Sequence, residues 1–277
     1  MNIIKSDVNA LNKYLNGEFN KYASECREIA KTLEEINIEC IDADRYDCYD
    51  RNFDSEYYRL TKIPDDISRI WFAYSKLTHI EINVPLKILP GGAFAYCFHL
   101  HTIILPKDSI KIIEDMCFSN CPQIIEITIP DSVEEIGEKV FENCMSLSKI
   151  HLSNNLRIIK EYCFHNCYSI EEIVIPNSVE EIENDCFRGC ISLHNITLPT
   201  SLKVLDDGLF TSTNIKELYV PPNVTFAKRY AFEEMYKVEK IHLPKHIILG
   251  PTDDRNVLEN EVPWDDESLM EKFIYYE

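Results

Sequence analysis

The sequence predicts an α/β-type repeat solenoid with one parallel strand per unit. Three observations carry that prediction. First, a unit of twenty-three residues recurs along the chain, and a fixed period of this size is a solenoid signature. Second, phenylalanine recurs as Phe94, Phe118, Phe141, Phe164, Phe187, Phe210 and Phe232, and Cys97, Cys121, Cys144, Cys167 and Cys190 each follow three residues later. Third, an alternating segment of the form L-x-x-I-x-I precedes a turn proline in most units, at Pro106, Pro130, Pro176, Pro199, Pro221 and Pro244. So short a unit cannot bury its own apolar side, and successive units must stack on one shared core.

Residues 1–60 fall outside the period. Val8, Leu11, Leu15, Phe19, Tyr22, Cys26, Ile29, Leu33 and Ile36 recur at steps of three and four, which predicts helices over the open end of the stack. The polar and aromatic segment 42–58 that follows reads as a loop. The repeats occupy 61–244, about eight units, with the first degenerate. Counting back from Leu77 puts Trp71 in its phenylalanine slot and Tyr74 in its cysteine slot. Within a unit, the segment centred on Ile103, Ile127, Ile150, Ile173, Ile196 or Ile241 alternates as a strand does. The other half is exemplified by Val133, Ile136, Val140 and Phe141, and is expected to form turns or a loose helical turn. The phenylalanines are then expected to stack as a ladder. Residues 245–277 form an acidic cap or tail, with nine acids and two bases from Thr252 onward. Asp265, Asp266 and Glu267 suit the positive end of a short helix, and Trp264, Leu269, Phe273 and Tyr275 give a cap something to bury.

Composition narrows the functions. The formal net charge is −19, which opposes contact with nucleic acid phosphates. The N-terminus has no basic stretch followed by an apolar run, and no segment approaches the apolar length of a membrane span. A cytoplasmic protein is the expectation. Of eleven cysteines, eight sit in two repeat slots: the five named above, and Cys117, Cys163 and Cys186 just before the phenylalanine. Val140, Ala93 and Ala231 fill the second slot elsewhere, and Thr213 and Met235 fill the first. A slot that accepts all of these is small and buried, so free thiols are expected rather than disulfides.

The phrase IPDSVEEIGEKVFENCMSLSKIHL at 129–152 and its relatives resemble the BspA-like leucine-rich repeats, from about Ile63 to Pro244. The resemblance implies a curved solenoid with a parallel sheet on the concave side. It implies an adhesin or a protein-binding module and no enzymatic activity. Adhesins of that kind carry export signals, and none is visible here. Ser153 and Asn83 replace the turn proline, the interval Pro106 to Pro130 carries one extra residue, and Pro199 to Pro221 is one residue short.

Alternation turns the residues on either side of each central strand residue outward. On the concave face these are His79 and Glu81, Thr102 and Ile104, Glu126 and Thr128, Lys149 and His151, Glu172 and Val174, Asn195 and Thr197, Glu217 and Tyr219, Lys240 and His242. Those from Thr102 to His242 are the candidate partner-binding residues. No catalytic residue, metal site or cofactor is expected. The C-x-x-x-C pairs at Cys117, Cys163 and Cys186 lie in core slots, and outward His151 and His242 are separated from inward cysteines. No phosphate loop or H-E-x-x-H is present. The sequence is therefore read as a non-catalytic, monomeric interaction module binding a protein or peptide. An acidic effector or inhibitor mimicking nucleic acid, and a surface adhesin, are the alternatives.

Overall fold

The structure, a computed structural model, describes residues 38–40, 57–60, 72–73, 77–82, 85–250 and 267–277. The chain from Ile80 to Leu249 winds as a solenoid around one continuous apolar core. Each turn contributes one strand to the inner side, His79–Ile82, Thr102–Ile104, Glu126–Thr128, Lys149–His151, Glu172–Val174, Asn195–Thr197, Glu217–Tyr219 and Lys240–Pro244, and these are hydrogen-bonded in successive pairs along the list. Pairing is parallel and in register, as in Ile127↔Ile150 and Ile173↔Ile196. One-repeat spacing thus brings equivalent residues side by side.

The half-unit expected to be turns or a helical turn forms a second row of parallel strands, in one five-stranded and one three-stranded sheet. Its strands are Ile88–Leu89, Ile112–Ile113, Glu135–Ile136, Ile158–Ile159 and Glu181–Ile182, followed by Val204–Leu205, Phe226–Ala227 and Ile248–Leu249. A helix fails here for a backbone reason. In the units from Phe94 to Phe210, one residue two before the phenylalanine and one two after it adopt positive φ, for example Lys139 and Asn143 or Tyr162 and Asn166. Such residues interrupt a right-handed helix. The amides point to the next unit instead: Phe94 N donates to Cys117 O at 2.8 Å, and Phe141 N to Cys163 O at 2.8 Å. Among the described residues the helix is Glu267–Met270, which we call α1.

The phenylalanine ladder forms as expected. Adjacent rings from Phe72 to Phe187 stack with centroids 5.5 Å apart. That displacement exceeds the ~4.8 Å between hydrogen-bonded strands, so the phenylalanine side is the longer one and the inner sheet is concave. The first rung is Phe72, not Trp71. Phe72 N donates to Ala93 O, the bond that each phenylalanine from Phe94 to Phe187 makes to the next unit, and Cys97 Sγ donates to Phe72 O. The reason is a residue missing between the phenylalanine and Leu77, which backward counting at full spacing does not register.

The helical expectation for 8–36 lies outside the described residues. Within 1–60 the described segments are strands, Ile38–Cys40 antiparallel to Tyr57–Leu60, and no N-terminal helix supports the expected cap. Tyr57–Leu60, placed partly in the expected loop, pairs in parallel with His79–Ile82 and extends the sheet. At the other end α1 follows the acids as expected. Phe273–Tyr276 then adds a parallel strand beside Lys240–Pro244. Leu269 is buried and Phe273 packs edge-on against Phe232. Tyr275 does not join the core: it stands on the side of Phe273, in register with buried Leu243, but on the last strand of the sheet, and is 49% exposed.

Candidate functional site

The concave strip is built by alternation on a short strand. In Thr102–Ile104, Glu126–Thr128, Glu172–Val174, Asn195–Thr197 and Glu217–Tyr219 the middle residue is buried and both neighbours are exposed. Lys149 and His151 are exposed around half-buried Ile150. Lys240 is exposed, while His242 is half-buried. The fourteen candidate residues therefore share one face, and His79 and Glu81 sit half-buried at its start. Register orders them in two rows. One runs Thr102, Glu126, Lys149, Glu172, Asn195, Glu217, Lys240, with mixed charge. The other runs Ile104, Thr128, His151, Val174, Thr197, Tyr219, His242, with no carboxylate or lysine. Val174 and Tyr219 are 69% and 61% exposed within that second row.

Sequence reasoning missed two parts of the strip. His242 pairs in register with Ile274, so the C-terminal strand lengthens the uncharged row. Its signal, alternation in FIYY, was hidden because the segment is out of period. Tyr219 and His242 also stack face to face at 4.1 Å and 3°, with His242 Nε2 2.7 Å from Glu217 Oε1 and Tyr219 Oη donating to the same oxygen at 3.1 Å. The bonds from His242 and then Tyr219 hold the Glu217 carboxyl below its usual range, and the bond to Glu217 holds the Tyr219 phenol above its own. The three side chains form one preset cluster. Elsewhere the row is looser: His151 Nε2 lies 3.9 Å from Glu126.

Away from the strip, much of the acidity serves the fold. Glu114 accepts from Gly91 N, Asp115 from Glu138 N, Glu183 from Glu161 N and Asp207 from Tyr230 N, each across a unit boundary. Burial raises the pKa of Glu183 and Asp207. The cysteine slot has a bonding role as well as a packing one. Each Sγ of Cys97, Cys121, Cys144, Cys167 and Cys190 donates to the phenylalanine carbonyl of the preceding unit, at 3.0–3.2 Å. The eight cysteines of the two repeat slots are buried and stand outside any disulfide. Burial raises Cys117, Cys121, Cys163, Cys167 and Cys186 well above the ordinary thiol and Cys144 and Cys190 to about 12, so these groups are thiols rather than nucleophilic thiolates. Among the described residues no cluster of three His, Cys, Asp or Glu is placed to hold a metal, and no helix is long and apolar enough to cross a membrane.

Comparisons with known proteins agree with this geometry. A family profile described as the BspA type leucine rich repeat region matches residues 65–173 and 157–250, with six copies of the unit. The crystal structure of a leucine-rich repeat protein from Bacteroides ovatus is similar, at 28% identity and a TM-score of 0.53. The likeness covers 64% of this chain and 52% of that one, so the chain spans about half the length of that protein. A leucine-rich repeat protein from T. pallidum shares the fold at 23% identity and a TM-score of 0.52, over 71% of this chain and 79% of its own. Among curated proteins none matches.

Proposed function

The chain belongs to the BspA-type leucine-rich repeat family, and from that premise we propose that it is a non-catalytic module binding a protein or peptide on the concave strip. The observation that carries this reading is the exposed uncharged row, with Val174 and Tyr219 standing on a rigid in-register sheet beside a row of mixed charge. Tyrosine on a rigid platform is a favoured interface anchor, since little side-chain entropy is lost on binding. The flanking Lys149, Glu172 and Lys240 set orientation rather than bulk affinity. The repeats of 61–244 are the binding unit, and the protein acts as a monomer in the cytoplasm.

The test is capture from a lysate of the source cells, read by mass spectrometry, with wild type beside the Lys149→Ala/Tyr219→Ala variant. The reading expects a specific protein held by wild type and lost by the variant. Both sites are exposed, so the variant should melt close to wild type. A partner kept by both proteins places recognition elsewhere. If such binding also collapses at high salt, the acidic outer side is the contact.

A further inference from the structure

One aromatic ring on the concave strip is held in place and presents a single open face. Tyr219 and His242 stack at 4.1 Å and 3° from successive units, so the tyrosine ring stands across the solenoid axis. One of its faces is covered by the following unit, and the other is turned to the preceding one. Tyr219 Oη donates to Glu217 Oε1, so turning the ring would break the bond and the stack together. The side chain is nonetheless well exposed. Glu217–Tyr219 begins a new hydrogen-bonded group of strands, and the open face looks across a break in the backbone ladder to Asn195–Thr197. Going back along the row, the next residues are Thr197 and Val174, both exposed and both shorter than a ring, and then exposed His151. At ~4.8 Å per strand, His151 stands roughly 14 Å from Tyr219. The row therefore contains a slot, with Tyr219 and His151 as its walls and Thr197 and Val174 as its floor.

We infer that this slot receives one aromatic side chain of the partner protein, stacked on the open face of Tyr219. The inference rests on reading the concave strip as the binding surface, and names what the partner must bring to it. Charge beside the slot selects neither sign. Glu171 and Glu172 on one strand are offset by Lys149 one unit before and Lys216 two units after. Glu217 already accepts from Tyr219 and lies 2.7 Å from His242 Nε2, and Asn195, on the strand the open face overlooks, is neutral. On the other flank Pro176 and Pro199 follow two residues after the floor and add no charge. What the slot offers is an aromatic face beside two methyl-bearing side chains. A ring stacked on Tyr219 lies over Thr197, one step back along the column that already places Tyr219 on His242. Ring pairs gain beyond the area they bury, which an aliphatic side chain or a charged one does not share in. At the spacing of the Tyr219–His242 pair, one added ring leaves roughly 10 Å to His151, about twice the ~4.8 Å width of the extended backbone that would carry it.

The probe is N-acetyltryptophanamide, titrated into the whole chain with isotope-labelled valine and threonine methyl groups. The comparison ligands are N-acetylleucinamide, N-acetylargininamide and methyl glucoside. Binding of each is read by NMR as a saturable shift of the Val174 and Thr197 methyl signals. The tryptophan amide should bind about threefold or more tightly than any of the other three. Tyr219→Leu should weaken it about threefold or more, while Tyr230→Ser, on the outer side, should stay within about twofold. Thr197→Phe, which lays the chain's own ring on that face, should abolish the saturable shift at Val174. Melts of the three variants establish that they are folded. No saturable shift in wild type, equal affinity for the tryptophan amide and a comparison ligand, or wild-type affinity in Tyr219→Leu or Thr197→Phe would each overturn the inference. Capture of the cellular partner separates the two readings. A partner lost with the Lys149/Tyr219 variant, while the tryptophan amide fails to bind wild type, removes only this inference. A partner kept by that variant removes the concave site, and this inference with it.

Discussion

Phe164 stacks between Phe141 and Phe187, 5.5 Å from each, and is fully buried. No neighbour can collapse into its place without breaking the ladder. Phe164→Ala should therefore cost about 3–5 kcal/mol, read from urea denaturation; an unchanged midpoint would mean the rings do not carry the core. The thiols set a second expectation. Cys144 and Cys190 titrate near 12 in the fold, because burial disfavours the thiolate, against about 8.5 in an unfolded chain. Their contribution to stability is whole below about pH 8.5 and is lost as pH rises toward the folded value, by about 1.4 kcal/mol per pH unit for each thiol. Stability measured from pH 8 to 11 should fall steeply, and Cys144→Ala/Cys190→Ala should flatten the slope. A flat wild-type profile would contradict the burial. At this scale the sequence was legible where a slot tolerates only small residues, as at Val140 and Cys163. It was not legible that the thiol donates a hydrogen bond, because Thr213 and Met235 hide that role: Thr213 Oγ1 donates to its own unit's Phe210 O.

Each unit turns sharply twice around its phenylalanine, and the residues of positive φ decide which substitutions it accepts. Asn143 has φ 58° and links its neighbours, donating to Asn120 Oδ1 at 3.0 Å and accepting from Asn166 Nδ2 at 2.9 Å. Asn143→Ala loses both bonds and the left-handed tolerance of asparagine, and should cost about 1–3 kcal/mol. In the next unit but one, Gly189 has φ 74°, and an added Cβ would stand 2.3 Å from Asn166 Oδ1. Gly189→Ala should lower the melting temperature as well, and equal stability in either variant would show that the turn is not fixed in this form. These turns explain the misread element. Val133, Ile136 and Val140 sit at helical spacing, yet Lys139 and Asn143 take left-handed backbone that spacing does not report. The inner strands were read correctly, because Glu126-Ile127-Thr128 and its equivalents alternate and recur together. Phe72 was misplaced because one missing residue shifts a count made at constant period.

Over the whole molecule the solenoid separates its chemistry by side. Carboxylates such as Asp115 and Asp207 cap amides on the outer turns, whereas the concave strip keeps one row uncharged. The strip was legible residue by residue. The cluster of Glu217, Tyr219 and His242 was not, since its members come from two units and meet only when the units are stacked. At this scale, oxidative footprinting of the wild-type protein with its captured partner tests the central claim most directly. The account predicts that Tyr219 and His151 on the concave strip become protected while Tyr230, exposed on the outer side, keeps its free rate. Protection of Tyr230 with Tyr219 and His151 unchanged would contradict it.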